Sequence, residues 1–166
     1  MMKFWQQLID EWYKKFDKED YPYNCYQAAH LWEGLLHSDE ERVIMHQLKG
    51  KGIKSYILTT GNSLLDKQIV KFYTKIGIKT NIDPSSSSFD KSYYVGTYGD
   101  LVVQSQYPDE IVKALDVFFK KNKTLQDLDL VDLSEIVNRK QEVKLTVIRE
   151  INMAKQINKS IISQIE

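Results

Sequence analysis

The sequence predicts an α/β fold in which a single mixed sheet of about five strands is flanked by helices and preceded by an N-terminal helical segment. Helical and strand-like hydrophobic patterns alternate from residue 51 onward, with glycines between them. The chain has 166 residues, 42% of them hydrophobic, which is enough to bury a core without disulfides. We therefore expect a single domain over 1–166, with a helical segment at 1–50 and an α/β core at 51–166.

Charge and cysteine content exclude several classes of protein. The 23 Lys and Arg residues balance 23 Asp and Glu residues, and both nucleic-acid-coating proteins and polybasic membrane binders need excess positive charge. One cysteine, Cys25, rules out an intrachain disulfide and fits a reducing compartment. Because the sequence has no apolar run of about 18 residues, we expect no membrane span. The charge balance leads us to expect no direct nucleic-acid binding, and the single cysteine fits a cytoplasmic location.

The first element is an aromatic amphipathic helix. Phe4, Trp5, Trp12 and Phe16 recur at helical spacing on one face, and charged residues occupy the other. Such a face packs most simply on the core of its own domain. The alternatives are a contact in a dimer or docking onto a protein partner through these four aromatic side chains.

Two further helices are predicted before residue 51. Apolar spacing predicts a helix from Tyr26 to about Leu36 and another from Asp39 to Lys49. Ser38 and Glu41 have the spacing of a capping box for the latter helix. Gly50 and Gly52 are expected to close it, since glycine is the residue that most often follows a helix.

A strand, a helix and a second strand come next. Residues 53–59 are rich in β-forming side chains, and 78–82 form a similar run after Gly77. Ser63 can cap the helix between them, with Asp66 as its capping-box partner. A strand–helix–strand unit of this kind predicts two parallel strands.

A hairpin and a helix are predicted after this unit. The strand-like runs 92–97 and 101–106 are separated by a short segment that contains Gly99 and Asp100, which is typical of a hairpin. Pro108 is expected at the first position of the next helix.

The C-terminal part of the chain is predicted to hold two helices and one strand. A shorter helical stretch covers 124–138, a strand covers 143–148, and an amphipathic helix covers 151–165. Together with the runs at 53–59, 78–82, 92–97 and 101–106, this strand gives a sheet of about five strands.

No motif indicates a metal, a cofactor or a catalytic residue. His30 and His37 do not have the i, i+4 spacing of a helical metal site, so a zinc site that joins them to Cys25 is conceivable but not favoured. Nucleophile-elbow, Walker A and dinucleotide-binding motifs do not occur in the sequence. We therefore predict no catalytic residues, no metal and no cofactor, with the histidines at the surface or partly buried.

The strongest candidate for a binding site is the turn Thr60, Gly61, Asn62 and Ser63. It follows a predicted strand and precedes a helix, where free backbone N–H groups and hydroxyls favour an anion. We expect a small anionic or polar ligand there, with Ser85 to Ser88 as a lid. The alternative is simple capping of the helix by Asn62 or Ser63.

The middle of the chain resembles a known fold family. Lys-Gly-Ile-Lys-Ser-Tyr-Ile-Leu precedes a helix, and Ile-Gly-Ile-Lys-Thr precedes a polar loop. The hairpin segment Phe-Asp-Lys-Ser-Tyr-Tyr-Val-Gly-Thr-Tyr-Gly-Asp and Tyr-Pro-Asp-Glu at the start of a helix follow. This order, over about residues 40–121, resembles one repeat of the phospholipase-D-like fold. It is most similar to the catalytically degenerate repeats that serve as effector domains of archaeal sugar-responsive transcription regulators.

The resemblance implies binding rather than catalysis. Active members of that family carry His-x-Lys and then Asp; here Phe89 replaces the His, Lys91 matches the Lys, and Gly96 replaces the Asp. Without the His no covalent phosphohistidine can form. The resemblance therefore implies a non-enzymatic regulatory domain with Lys91 at its ligand site. It also implies a homodimer, because repeats of that fold usually pair.

Two other functions remain open from the sequence. A phosphodiesterase-like hydrolase would use Asp90 and Lys91 in a non-standard way. A structural interaction protein would dock through the aromatic N-terminal helix instead.

Overall fold

The computed structural model describes residues 2–85 and 90–166. Ser86 to Phe89 lie outside these ranges, so the predicted lid is described only at Ser85, and the position that replaces the family's His is not described.

The described residues form seven helices and six strands of one mixed sheet, so the predicted α/β class is confirmed, with six strands rather than about five. The elements are α1 (Met2–Lys15), β1 (Tyr23–Ala28), α2 (Glu33–Leu36), α3 (Ser38–Gly50), β2 (Lys54–Thr59), α4 (Leu64–Lys75), β3 (Lys79–Ile82), β4 (Tyr93–Tyr98), β5 (Leu101–Gln106), α5 (Asp109–Lys121), α6 (Leu130–Val137), β6 (Lys144–Arg149) and α7 (Ile151–Ser163). Within the described ranges, no helix combines the length and apolar character needed to cross a membrane.

The sheet has the order β3–β2–β1–β4–β5–β6. β1, β2 and β3 are parallel, as the strand–helix–strand pattern predicts for β2 and β3. β4, β5 and β6 continue the sheet in antiparallel pairs beyond β1. The predicted hairpin between β4 and β5 is confirmed, and Gly99 in its turn has a φ of +63°, where a side chain would be strained.

The helix predicted from Tyr26 to Leu36 is wrong over its first part. Tyr23–Ala28 is instead the strand β1, which hydrogen-bonds to β2 on one side and to β4 on the other. Cys25 and Ala28 face opposite sides of the sheet and are both 0% exposed. A strand buried on both faces lacks the alternation of polar and apolar residues that marks a strand in sequence. Only Glu33–Leu36 of the predicted range is helical.

The two predicted capping boxes have different outcomes. Ser63 and Asp66 form one at the start of α4, with both of its hydrogen bonds present. The box predicted from Ser38 and Glu41 is wrong: α3 begins at Ser38 itself, its cap is His37, and no side chain caps it. Glu41 instead lines a cavity beneath α1.

The last predicted helix before β6 is shorter than expected. α6 covers Leu130–Val137, and Asp129 caps it by accepting a hydrogen bond from the Asp132 N–H. Thr124, where the helix was predicted to begin, lies in a separate turn and donates to Asp127. Its hydroxyl competes for local hydrogen bonds and so favours the turn over a longer helix.

The two faces of the sheet are covered unequally. The buried clusters place side chains of α1 to α6 on the face that carries Ile57, Tyr98 and Val103. α7 packs on the opposite face, against Cys25, Tyr56 and Leu58. The candidate sites described below lie on the face covered by six helices.

The aromatic face of α1 packs on the domain's own core. Trp12 is 9% exposed, and its ring meets that of Phe16 edge to face at 5.8 Å. The Trp5 indole N–H donates to the Tyr98 hydroxyl at 2.5 Å. Phe4 is 45% exposed. Of the four aromatic residues predicted to contact a partner, Phe4 is therefore the one that the fold leaves at the surface, and that partner contact stays a prediction.

Replacing Trp12 by alanine should destabilise the fold strongly because it removes a buried indole from the core. We expect Trp12→Ala to lower the free energy of unfolding by about 3 kcal/mol. Phe4→Ala, on the same helix but exposed, should change it by less than about 0.5 kcal/mol. Urea unfolding followed by circular dichroism measures both. Equal midpoints for the two variants would show that α1 is not part of the core.

Candidate functional site

The predicted turn lies where the carboxyl ends of β1 and β2 meet. The backbone N–H of Thr60 donates to the Ala28 carbonyl at 3.1 Å, and that of Gly61 donates to the Ala29 carbonyl at 2.7 Å. The Thr59 hydroxyl also donates to Ala29, at 2.7 Å. These bonds extend the pairing of the two parallel strands into the turn, which holds the turn rigidly against the end of β1.

Gly61 is required by this close approach. A β-carbon at position 61 would lie 2.4 Å from the Ala29 carbonyl oxygen and 2.7 Å from both carboxylate oxygens of Asp66. Separations this short are steric overlaps, and two of the three atoms belong to a buried carboxylate. The glycine thus lets the turn, the end of β1 and Asp66 come together.

Ser63 caps α4 as the simpler sequence interpretation predicts. Its hydroxyl accepts the Asp66 backbone N–H at 3.1 Å, and the Asp66 carboxylate accepts the Ser63 N–H at 2.9 Å and its hydroxyl at 2.7 Å. Asn62 is exposed. The Thr60 hydroxyl oxygen is buried and has no hydrogen-bond partner among the described residues. Of the four turn residues, Thr60 therefore keeps an unused polar group.

His30 joins this turn to helix α5. Its Nδ1 lies 2.9 Å from Asp66 Oδ1, and its Nε2 lies 2.7 Å from Asp116 Oδ1. The imidazole is stacked on the ring of Phe119 at 4.2 Å, and the residue is 7% exposed. A histidine two residues beyond β1 is thus clamped between two carboxylates from different helices.

Lys91 completes the group. Its ammonium lies 3.2 Å from Asp116 Oδ2, so Asp116 faces a cationic group on each side. We call Asp66, His30, Asp116 and Lys91 the charge cluster. Its outer end meets solvent, since the Lys91 and Asp116 side chains are 55% and 24% exposed. The structure therefore links Lys91 to the Ser63 turn, two segments singled out from sequence on separate grounds.

Hydrogen bonding determines the protonation of the cluster. A carboxylate only accepts hydrogen bonds, so a ring nitrogen that faces one carries a proton, and His30 faces one on each side. Burial opposes the charged form of His30, but the bonds to Asp116 and Asp66 outweigh it and raise the pKa of the imidazole. The bond from His30, with a further one from Lys91, lowers the pKa of Asp116 to about 2. Each of the two carboxyl groups in the cluster thus faces at least one basic side chain.

Sequence reasoning missed His30 and Asp116 as members of the site. It considered His30 only as a zinc ligand with Cys25 and His37, but Cys25 faces α7 on the other side of the sheet. Among the described residues, no three His, Cys, Asp or Glu side chains are grouped so that they could hold a metal ion. One signal was available: Asp116 falls between Leu115 and the phenylalanines 118 and 119 on the apolar face of α5.

Comparison with known proteins does not identify a family. No protein-family model matches the chain, and no match is found among curated proteins or solved structures.

The charge on His30 should make stability depend on pH. Folding raises the pKa of His30, so this residue adds to the free energy of unfolding. The added stability is fully present below the ordinary histidine pKa of about 6.5 and is lost as the pH rises through the pKa of His30 in the folded protein. Each unit of upward shift corresponds to about 1.4 kcal/mol. From about pH 6 to pH 9, the free energy of unfolding should therefore fall more for the wild type than for His30→Gln.

Denaturant titrations at several pH values measure this difference. His46→Gln, which replaces an exposed histidine of α3, is the matched control and should follow the wild type. Parallel pH curves for the wild type and His30→Gln would refute a charged His30.

Proposed function

We propose that the chain is a non-enzymatic, ligand-sensing regulatory domain that binds a small anionic ligand through His30 and Lys91. The observation behind this proposal is that the carboxylate of Asp116 already sits between these two cationic groups as an internal anion. A ligand carboxylate or phosphate could accept the same two hydrogen bonds in its place.

The position of the cluster supports a role in sensing. The Asp116 side chain belongs to α5, whereas His30 follows β1 and Lys91 precedes β4. A ligand that replaced Asp116 would release an ionic contact of α5 and keep the contacts of His30 with Asp66. Its binding energy would thus be coupled to the position of one helix, which is what a switch requires.

Binding without catalysis also fits the way that the cluster is paired. Both ring nitrogens of His30 are held by carboxylates, so neither is free to take a proton from a substrate. Asp90, which the hydrolase alternative would pair with Lys91, instead accepts the Ser92 backbone N–H at 2.8 Å. Turnover of a generic phosphodiester that is lost in Lys91→Ala would favour that alternative.

The resemblance to degenerate phospholipase-D-like repeats agrees with this proposal. Lys91, the residue that matches the family's Lys, lies in the cluster. Gly96, which replaces the family's Asp, lies under α1, where an added β-carbon would be 3.0 Å from Trp5 Cζ2. The homodimer implied by the resemblance stays a prediction, as does an interaction role through Phe4.

Removing the internal anion should expose the binding site. Asp116→Asn leaves His30 and Lys91 without the competing carboxylate, so we expect inorganic phosphate to bind at least about tenfold more tightly than to the wild type. Adding Lys91→Met to that variant should weaken phosphate binding at least about tenfold. Isothermal titration calorimetry at low ionic strength measures the dissociation constants.

Asp109→Asn is the matched control, because it removes an exposed aspartate from the same helix and should bind phosphate like the wild type. The proposal fails if Asp116→Asn, folded by circular dichroism, binds phosphate no better than the wild type. It also fails if Lys91→Met has no effect on that binding.

A further inference from the structure

A second site, independent of the charge cluster, lies beneath α1. Here α1, α2 and α3 enclose a cavity of about 90 Å³ against the sheet. Its acidic lining residues are Glu33 and Glu41, and its aromatic lining includes Trp5, Tyr26 and Tyr98. Gln6, Asn24 and Ser105 are further polar residues of the lining. We call this space the α1 cavity.

Glu33, which lines the α1 cavity, has one carboxyl oxygen with a partner and one without. The Tyr26 hydroxyl donates to Glu33 Oε1 at 2.7 Å. Oε2 of the same carboxyl group is buried and has no hydrogen-bond partner among the described residues. A buried carboxylate oxygen without a donor is unfavourable, because it has lost its hydrogen bonds to water and gained none within the protein. A donor that occupies the cavity would remove that cost.

Glu41 places a second carboxyl group in the same cavity. Burial raises the pKa of Glu33 to about 7, against hydrogen bonds with Tyr26 and with its own backbone. Burial together with the nearby Glu40 raises the pKa of Glu41 to about 7, against a hydrogen bond with Tyr73. Neither carboxyl group forms an ion pair with a Lys, Arg or His in the described ranges. The described walls of the cavity therefore hold two acidic groups and no compensating positive charge.

The rings around the cavity suit a cation with an apolar part. Trp5 meets Tyr26 and Tyr98 edge to face, with centroids 6.1 Å and 6.5 Å apart. Aromatic faces attract ammonium groups and also pack against the carbon atoms beside them. The cavity of about 90 Å³ exceeds the space that a single water molecule needs, so it has room for a small organic cation.

We infer that the α1 cavity is a binding site for a small organic ammonium ion, which donates a hydrogen bond to Glu33 Oε2, is neutralised by Glu33 and Glu41, and rests its carbon atoms on the aromatic walls. A metal ion suits these walls less well, because among the described residues no three His, Cys, Asp or Glu side chains are grouped so that they could hold one. This site goes beyond the proposed anion site and shares no residue with the charge cluster.

The test uses the full chain and n-propylammonium chloride as the probe. Calorimetry should show saturable binding of one ion per chain at about pH 8, where the carboxyl groups are mainly ionised. Glu33→Gln should weaken that binding at least about tenfold, because it removes the charge that accepts the hydrogen bond. Glu135→Gln, which replaces an exposed glutamate of α6, is the matched control and should leave it within about twofold.

A neutral probe and a second variant complete the test. 1-Propanol, a neutral probe of similar size, should bind at least about tenfold more weakly than n-propylammonium. If Glu33→Gln does not fold, Tyr26→Phe replaces it in the test. This variant removes the donor to Glu33 Oε1 but keeps the carboxyl group, so it should retain n-propylammonium binding. No saturable binding of n-propylammonium, equal binding of 1-propanol, or unchanged binding in Glu33→Gln would each overturn the ammonium site. None of these results bears on phosphate binding at His30 and Lys91, so the two proposals fail separately.

Discussion

The structure depends on strand β1, which joins the parallel and antiparallel halves of the sheet and is buried on both faces. Its backbone pairs with β2 over its whole length and with β4 from Asn24 to Gln27. Tyr26 on one face lines the α1 cavity, while Cys25 on the other lies against α7. Because the chain leaves β1 directly into His30, the same strand also positions the imidazole of the charge cluster. Both proposed sites therefore rest on one element that cannot shift without unpairing the sheet.

Polar groups on the helical side of β1 are arranged in two different ways. In the charge cluster each charged group faces one of opposite sign. These pairs offset the cost of removing the groups from water and hold the side chains in place. In the α1 cavity, Glu33 and Glu41 meet neutral tyrosines instead of cations. The first arrangement is complete in itself and can respond to a ligand only by exchanging Asp116. The second lacks a positive charge, which is why a cationic ligand suits it.

Local sequence signals predicted most elements because they depend on neighbouring residues. The Ser63 capping box and the hairpin turn at Gly99 need only a few adjacent side chains and are present as expected. β1 could not be predicted in the same way, because its burial on both faces comes from partners far along the chain. The capping box at Ser38 failed for a related reason: Glu41 is drawn into the α1 cavity, a tertiary feature that overrides its local spacing.

The candidate site was predicted in part. The turn 60–63 could be singled out because it follows a strand-like run, and Lys91 because of a resemblance in the sequence around it. Their connection through His30 and Asp116 could not, since it joins residues 86 positions apart. Gly61 was expected to help bind an anion. The structure gives a different reason for a glycine here, because Ala29 and Asp66 approach too closely to leave room for a side chain.

The protonation state of His30 and its response to an anion test the central claim most directly. A long-range ¹H–¹⁵N NMR spectrum of the imidazoles at about pH 6.5, recorded during a titration with inorganic phosphate, reports both. For the free protein, protons on both ring nitrogens of His30 are expected. Phosphate should then shift the Nε2 signal, which faces Asp116, in a saturable manner and leave Nδ1, which faces Asp66, nearly unchanged. A neutral imidazole, or a charged one whose signals phosphate does not move, would contradict the account.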